Sequence, residues 1–135
     1  MDIYAYDKLY NGLTEYNESC ENNYENVIVK FPTTDTTYPH TVFAEVRNTQ
    51  DARFKTAIDR VASVGYLVNI YAKNLGEVDK MTVARECAKI VDEYLSSQNL
   101  TRESFNANDM IGDSSVYQII MTYSGSLLEN RRKFI

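Results

Sequence analysis

The chain has 135 residues, 44% apolar and 24% charged, with a net charge of −5. A length of this order suits one domain with an unassisted core, and no stretch approaches the roughly 20 apolar residues of a membrane span. Residues 1 to 26 hold six acids and one base, while the remainder balances, so there is no basic face of the kind duplex DNA binding needs.

The N-terminal residues lack a basic n-region and an apolar h-region, so no secretory signal is expected. Ile3, Tyr6, Leu9, Leu13 and Tyr16 recur at three- and four-residue steps and predict a helix with one buried face, weakened by Gly12. Asn17 to Asn26 is polar and predicts a loop. Val27 to Phe31 alternates and stops at Pro32, which predicts a short strand buried on both faces. The stretch from Tyr38 to Arg47 predicts a second strand. Val42, Ala44 and Val46 fall on one face, and Thr41, Phe43, Glu45 and Arg47 on the other. Asn48 to Lys55 has the composition of a polar connector.

Val61 to Lys73 predicts a third strand, with Tyr66, Val68, Ile70 and Ala72 on one side. Asp79 is a candidate N-cap for a helix to Ser97, whose apolar stripe is Met81, Ala84, Cys87, Ala88, Val91, Tyr94 and Leu95. Phe105 to Ile111 and Val116 to Tyr123 flank Gly112-Asp113-Ser114-Ser115, a hairpin by its turn chemistry, and Gly125 is expected to end the second arm. The chain closes on a basic tail, Arg131-Arg132-Lys133-Phe134-Ile135. Together these elements predict an α+β fold: a single mostly antiparallel sheet with an N-terminal helix and one long helix on one face. One domain is expected over 1–135, with an acidic helical segment at 1–26 and a basic tail at 126–135.

Chemistry-bearing clusters are sparse. His40 is the sole histidine, and a lone histidine beside Pro39 at a strand start is more often structural than catalytic. Cys87 lies on the apolar side of its helix and Cys20 in a polar stretch, a spacing that makes neither a metal nor a redox motif. The five glycines are scattered singly and form no phosphate-binding loop. Asp109 and Asp113 flank a turn, where solvated carboxylates are the simpler reading than a cation site. No enzyme activity, metal or cofactor is expected. Tyrosine (11) outnumbers phenylalanine (5), which fits either interface use or biased residue usage. The tail fits either docking into a neighbour or a solvated end.

Four stretches carry a family resemblance: Tyr38 to Val46, Gly65 to Ala72, the helix around Ala84 to Leu95, and Val116 to Gly125. In element order and pattern they resemble the tail terminator proteins of tailed bacteriophages, which cap the tail tube and join it to the head. The resemblance implies a structural virion protein at the neck, at the top of the tail, assembled in the host cytoplasm. It implies a homo-oligomeric, commonly hexameric, ring whose partners are the tail tube protein and a head-side neck or connector protein, with a sheath-related protein if the tail contracts. DNA would pass through without sequence-specific binding, and no membrane is involved. A conducting channel should not grip phosphates, so Glu15, Glu18, Glu21 and Glu25 are candidate lumen-facing acids. Tyr71, Arg131, Arg132, Lys133, Phe134 and Ile135 are candidate subunit or partner contacts. The nearest alternative is a head-side connector or stopper of the same particle; a small ligand-binding domain is the runner-up from another class.

Overall fold

The computed structural model describes residues 5–32, 37–50, 61–129 and 133–135. Its core is one six-stranded sheet whose strands follow the spatial order β1-β2-β3-β5-β4, with β6 added at the far end of β5. The strands are β1 (Val27–Val29), β2 (His40–Gln50), β3 (Val61–Ala72), β4 (Thr101–Met110), β5 (Asp113–Leu128) and β6 (Lys133–Phe134). Among the described residues two helices, α1 (Ala5–Ser19) and α2 (Lys80–Ser97), accompany the sheet. All neighbouring strands run antiparallel except β1, which lies parallel to β2. The α+β class with helices on one face of a single sheet is as the residue pattern predicts.

The helix-covered face follows from alternation. Tyr66, Val68, Ile70 and Ala72 of β3 are fully buried, and Ile119, Met121 and Tyr123 of β5 meet them across the ladder. α2 packs on β3 and β5 through Val83, Ala84, Cys87, Val91 and Leu95. Val83 also lies buried here, off the predicted stripe, and Met81 of that stripe is 42% exposed. The helix starts where predicted: the Asp79 carboxylate accepts a hydrogen bond from the Met81 amide at 3.3 Å. It ends on Asn99 in a left-handed conformation (φ 64), with the Leu100 amide returning to the Leu95 carbonyl.

α1 covers the other side of the same face. Tyr6 stacks on Phe43 and donates to its carbonyl, while the Tyr10 hydroxyl donates to the Ile28 carbonyl at 2.7 Å. Gly12 is the point of closest approach to α2: a Cβ there would sit 1.8 Å from the Tyr94 hydroxyl. The helix therefore tolerates a poor helix former because the crossing leaves no room for a side chain. Ile3 of the predicted stripe lies outside the described residues.

Several boundaries move for identifiable reasons. β1 is buried on one face only, through Ile28; Val27 is half-exposed and Phe31 is 76% exposed, because β1 is an edge strand. β2 runs on to Gln50 where a connector was expected, and residues 51–60 lie outside the described set. A bulge between Glu45 and Arg47 turns Arg47 to the uncovered face, where it lies over Gly65. Met110 pairs with Asp113, so the hairpin turns on Ile111-Gly112 alone, with Gly112 at the positive φ (88) such a turn requires. β5 passes through Gly125 to Leu128, because Leu100 packs against that glycine instead of a side chain.

Candidate interaction surface

The side chains singled out for chemistry occupy structural roles. His40 is buried between Tyr71, stacked at a centroid distance of 4.9 Å, and Tyr38, edge-on at 5.1 Å. Its Nδ1 lies 3.2 Å from the Thr37 carbonyl oxygen, and burial holds the ring below the ordinary imidazole pKa against the weaker opposing effect of that carbonyl. Cys87 is fully buried and burial pushes its thiol up to about 12, so it is inert as a nucleophile; Cys20 is half-exposed, and both are free thiols. Asp109 pairs with Lys80 at 2.8 Å, and Asp113 accepts from the Ser115 amide and hydroxyl, which lowers its pKa. Among the described residues no group of three or more His, Cys, Asp or Glu is arranged to hold a metal ion.

The predicted contact residues separate into three groups. Glu15 and Glu18 lie exposed on α1, and Glu21 and Glu25 lie exposed on the turn that follows. Tyr71 sits half-buried on the uncovered sheet face, where Gln118 donates to its hydroxyl at 3.4 Å. The tail is a correction. Phe134 is only 6% exposed, its ring edge-on to Tyr66, while β6 pairs with Leu127 and Leu128. A large aromatic next to an unpaired stretch of β5 buries more surface at home than in solvent, so Phe134 is not available to a neighbour. Lys133 and Ile135 remain exposed; Arg131 and Arg132 lie outside the described residues.

What the residue pattern missed is the shape of the sheet's free borders. α2 only skirts β4, leaving most of that ten-residue strand exposed, with Ser104 and Ala107 half-buried. A groove of about 280 Å³ runs between them, lined by Arg85, Ala88, Lys89, Asp92, Arg102 and Phe105. Asp92 is its hub: it accepts from the buried Tyr123 hydroxyl at 2.6 Å and pairs with Arg102 at 3.5 Å. Burial, then the bond to Asp92, keeps Tyr123 protonated far above the ordinary phenol range. Arg102 also lies over the Phe105 ring, 42% exposed, at 5.6 Å. At the hairpin tip Ile111 is 97% exposed.

The chain matches no protein-family model and no curated protein. The surface must therefore be interpreted from its own residues. On the uncovered sheet face, Val42, Asn69, Ile120 and Asn106 form one transverse row, and Ala44, Leu67, Thr122 and Ser104 the next. Half the side chains in each row are polar, and the central ones are half-buried by their neighbours alone. Such a face suits a wet, reversible contact better than a permanent apolar one. Among the described residues no helix is long and apolar enough to cross a membrane.

Proposed function

We propose that this chain is a structural protein of a phage particle, a tail-terminator-like ring subunit that caps the tail tube and joins it to the head. The observation that carries the reading is the pairing of two features on one small fold. Helices cover a single sheet face, and a ten-residue border strand, β4, lies mostly exposed at the margin of the α2 layer. Exposed strand borders invite pairing with another chain, and isolated proteins usually blunt them. Here β4 has no proline or lysine and leads to an exposed isoleucine, and its blunting is limited to Arg102, Glu103, Asp109 and the register breaks after Arg102 and Asp109.

A subunit that works by stacking needs two different contact patches, because only head-to-tail contacts close into a ring. The uncovered sheet face and the β4 border are two such patches at right angles. In this reading Glu15, Glu18, Glu21 and Glu25 line the DNA passage, where acids keep the wall from holding phosphates, and the ring, commonly six subunits, meets the tube protein on one side and a neck protein on the other. Mixing the purified chain with uncapped tail tubes tests it. The expected outcome is tubes of fixed length bearing a terminal ring by negative-stain microscopy. Binding to filled heads with no effect on tubes would favour a head-side connector instead.

A further inference from the structure

The groove between α2 and β4 holds positive charge that the fold itself leaves uncompensated. Arg85 and Lys89 stand one turn apart on its α2 wall, and both are exposed. Among the described residues neither forms an ion pair. The acids at helical spacing from Lys89 do not serve it. Asp92 accepts from the Tyr123 hydroxyl and pairs with Arg102, Glu93 accepts from the Tyr16 hydroxyl at 2.9 Å, and Glu86 makes no ion pair with it. Like charges at this spacing repel along a helix, so the two cations weaken α2 until a counter-charge arrives.

Beneath the cations the groove is apolar. Ala88 lies at its base, and Phe105 faces it from β4, 42% exposed. Arg102 is already engaged by Asp92 and lies over the Phe105 ring, so it closes one end of the groove and is not a free cation. The neighbouring backbone is open too. β4 pairs with β5 alone, and between its two register breaks the ladder is regular from Ser104 to Asp109.

These features select one class of occupant. A phosphate chain would meet the Asp92 carboxylate, and a base would find Arg102 over the ring on which it should stack. An extended peptide instead adds backbone hydrogen bonds along β4 and points alternate side chains to the α2 side. Alternate residues of such a peptide lie roughly 7 Å apart, close to the roughly 6 Å rise between Arg85 and Lys89 along their helix. The chain's own exposed acids do not provide such a strand, because Glu15 and Glu18 are helical and Glu21 and Glu25 lie in a turn.

We propose that this groove docks an extended acidic segment of another protein, with two carboxylates on Arg85 and Lys89 and one aliphatic side chain against Phe105. The assignment goes beyond the tail reading and does not depend on it. Its ion pairs are exposed, so the contact is of modest affinity and weakens with salt.

The test is fluorescence anisotropy of a labelled peptide with two glutamates and a leucine at alternate positions and threonine between them, titrated with the full chain. Binding should saturate, and Arg85→Glu or Lys89→Glu should weaken it about fivefold or more, with the difference shrinking as salt rises. Phe105→Ala should weaken it by a similar factor at every salt concentration. Lys8→Glu, an exposed reversal on α1 outside the groove, should leave it unchanged. If either groove reversal fails to fold, Arg85→Gln and Lys89→Gln decide in its place. Absence of saturable binding up to about 1 mM chain overturns the proposal, as does equal weakening by Lys8→Glu. Equal affinity for the peptide with glutamine in place of glutamate overturns it, and so does tighter binding of an oligothymidylate of similar length. Self-association of the chain that Arg85→Glu abolishes would make a second copy the occupant and overturn it too.

Discussion

His40 sits where a protonated imidazole is unwelcome: inside the Tyr38–Tyr71 pair, with the Lys73 ammonium 4.5 Å from the Tyr38 ring centre. Because burial lowers its pKa in the folded chain, the unfolded chain takes up the proton first as pH falls. The stabilising contribution is therefore complete above the unfolded value of about 6.5 and is lost as pH drops through the lower folded value. Melting temperatures at pH 7.5 and 5.5 should show a drop that His40→Gln lacks. An identical drop in both proteins would mean that carboxylates, not this ring, set the acid limb. The residue reasoning had placed His40 as structural from its position beside Pro39, and the aromatic sandwich gives the physical reason. Asn17 is a second residue whose role is structural. It heads a glycosylation triplet by spelling, yet it is buried and its side-chain amide donates to the Asn26 carbonyl at 2.8 Å.

At the scale of elements, α2 and β3 were legible because each carries an unbroken periodicity of a side half in the core: 3.6 for the helix, 2 for the strand. β4 was legible only in part. Its full sequence, Thr101 to Met110, shows little apolar alternation because water reaches both of its faces, so pattern reasoning found only the segment from Phe105 onward. β6 left no signal at all, since two residues cannot display a period. Its energetic weight is still large. Phe134→Ala removes a buried ring over Tyr66 and should cost about 3 kcal/mol by urea denaturation, with a matching fall in melting temperature. Ile135→Ala, one residue on and 57% exposed, should stay within about 0.5 kcal/mol of the parent. Equal effects at the two sites would mean the terminal strand is not docked in solution.

For the whole molecule, the sequence held the class of fold but not the inequality of its two borders. One border is shortened by β1 and interrupted by a bulge; the other is long and mostly exposed, with irregularities of its own after Arg102 and Asp109. That asymmetry follows from how far α1 and α2 reach over the sheet, a long-range packing outcome that no local periodicity records. It also separates the candidate contacts by kind. The acids of α1 and its following turn, the half-polar sheet face and the β4 border belong to different elements of the fold. The predicted tail contact does not join them at Phe134, which its own core already occupies.

The border strand has one further consequence. Along Thr101 to Met110, the amides that turn away from β5 have no backbone partner among the described residues and should trade hydrogen for deuterium within seconds in the isolated chain. Once a neighbour's backbone lies alongside, those same amides slow by orders of magnitude while the interior of β3 barely changes. Mass spectrometry of the peptide spanning that strand thus gives a label-free gauge of occupancy, whatever body proves to sit there.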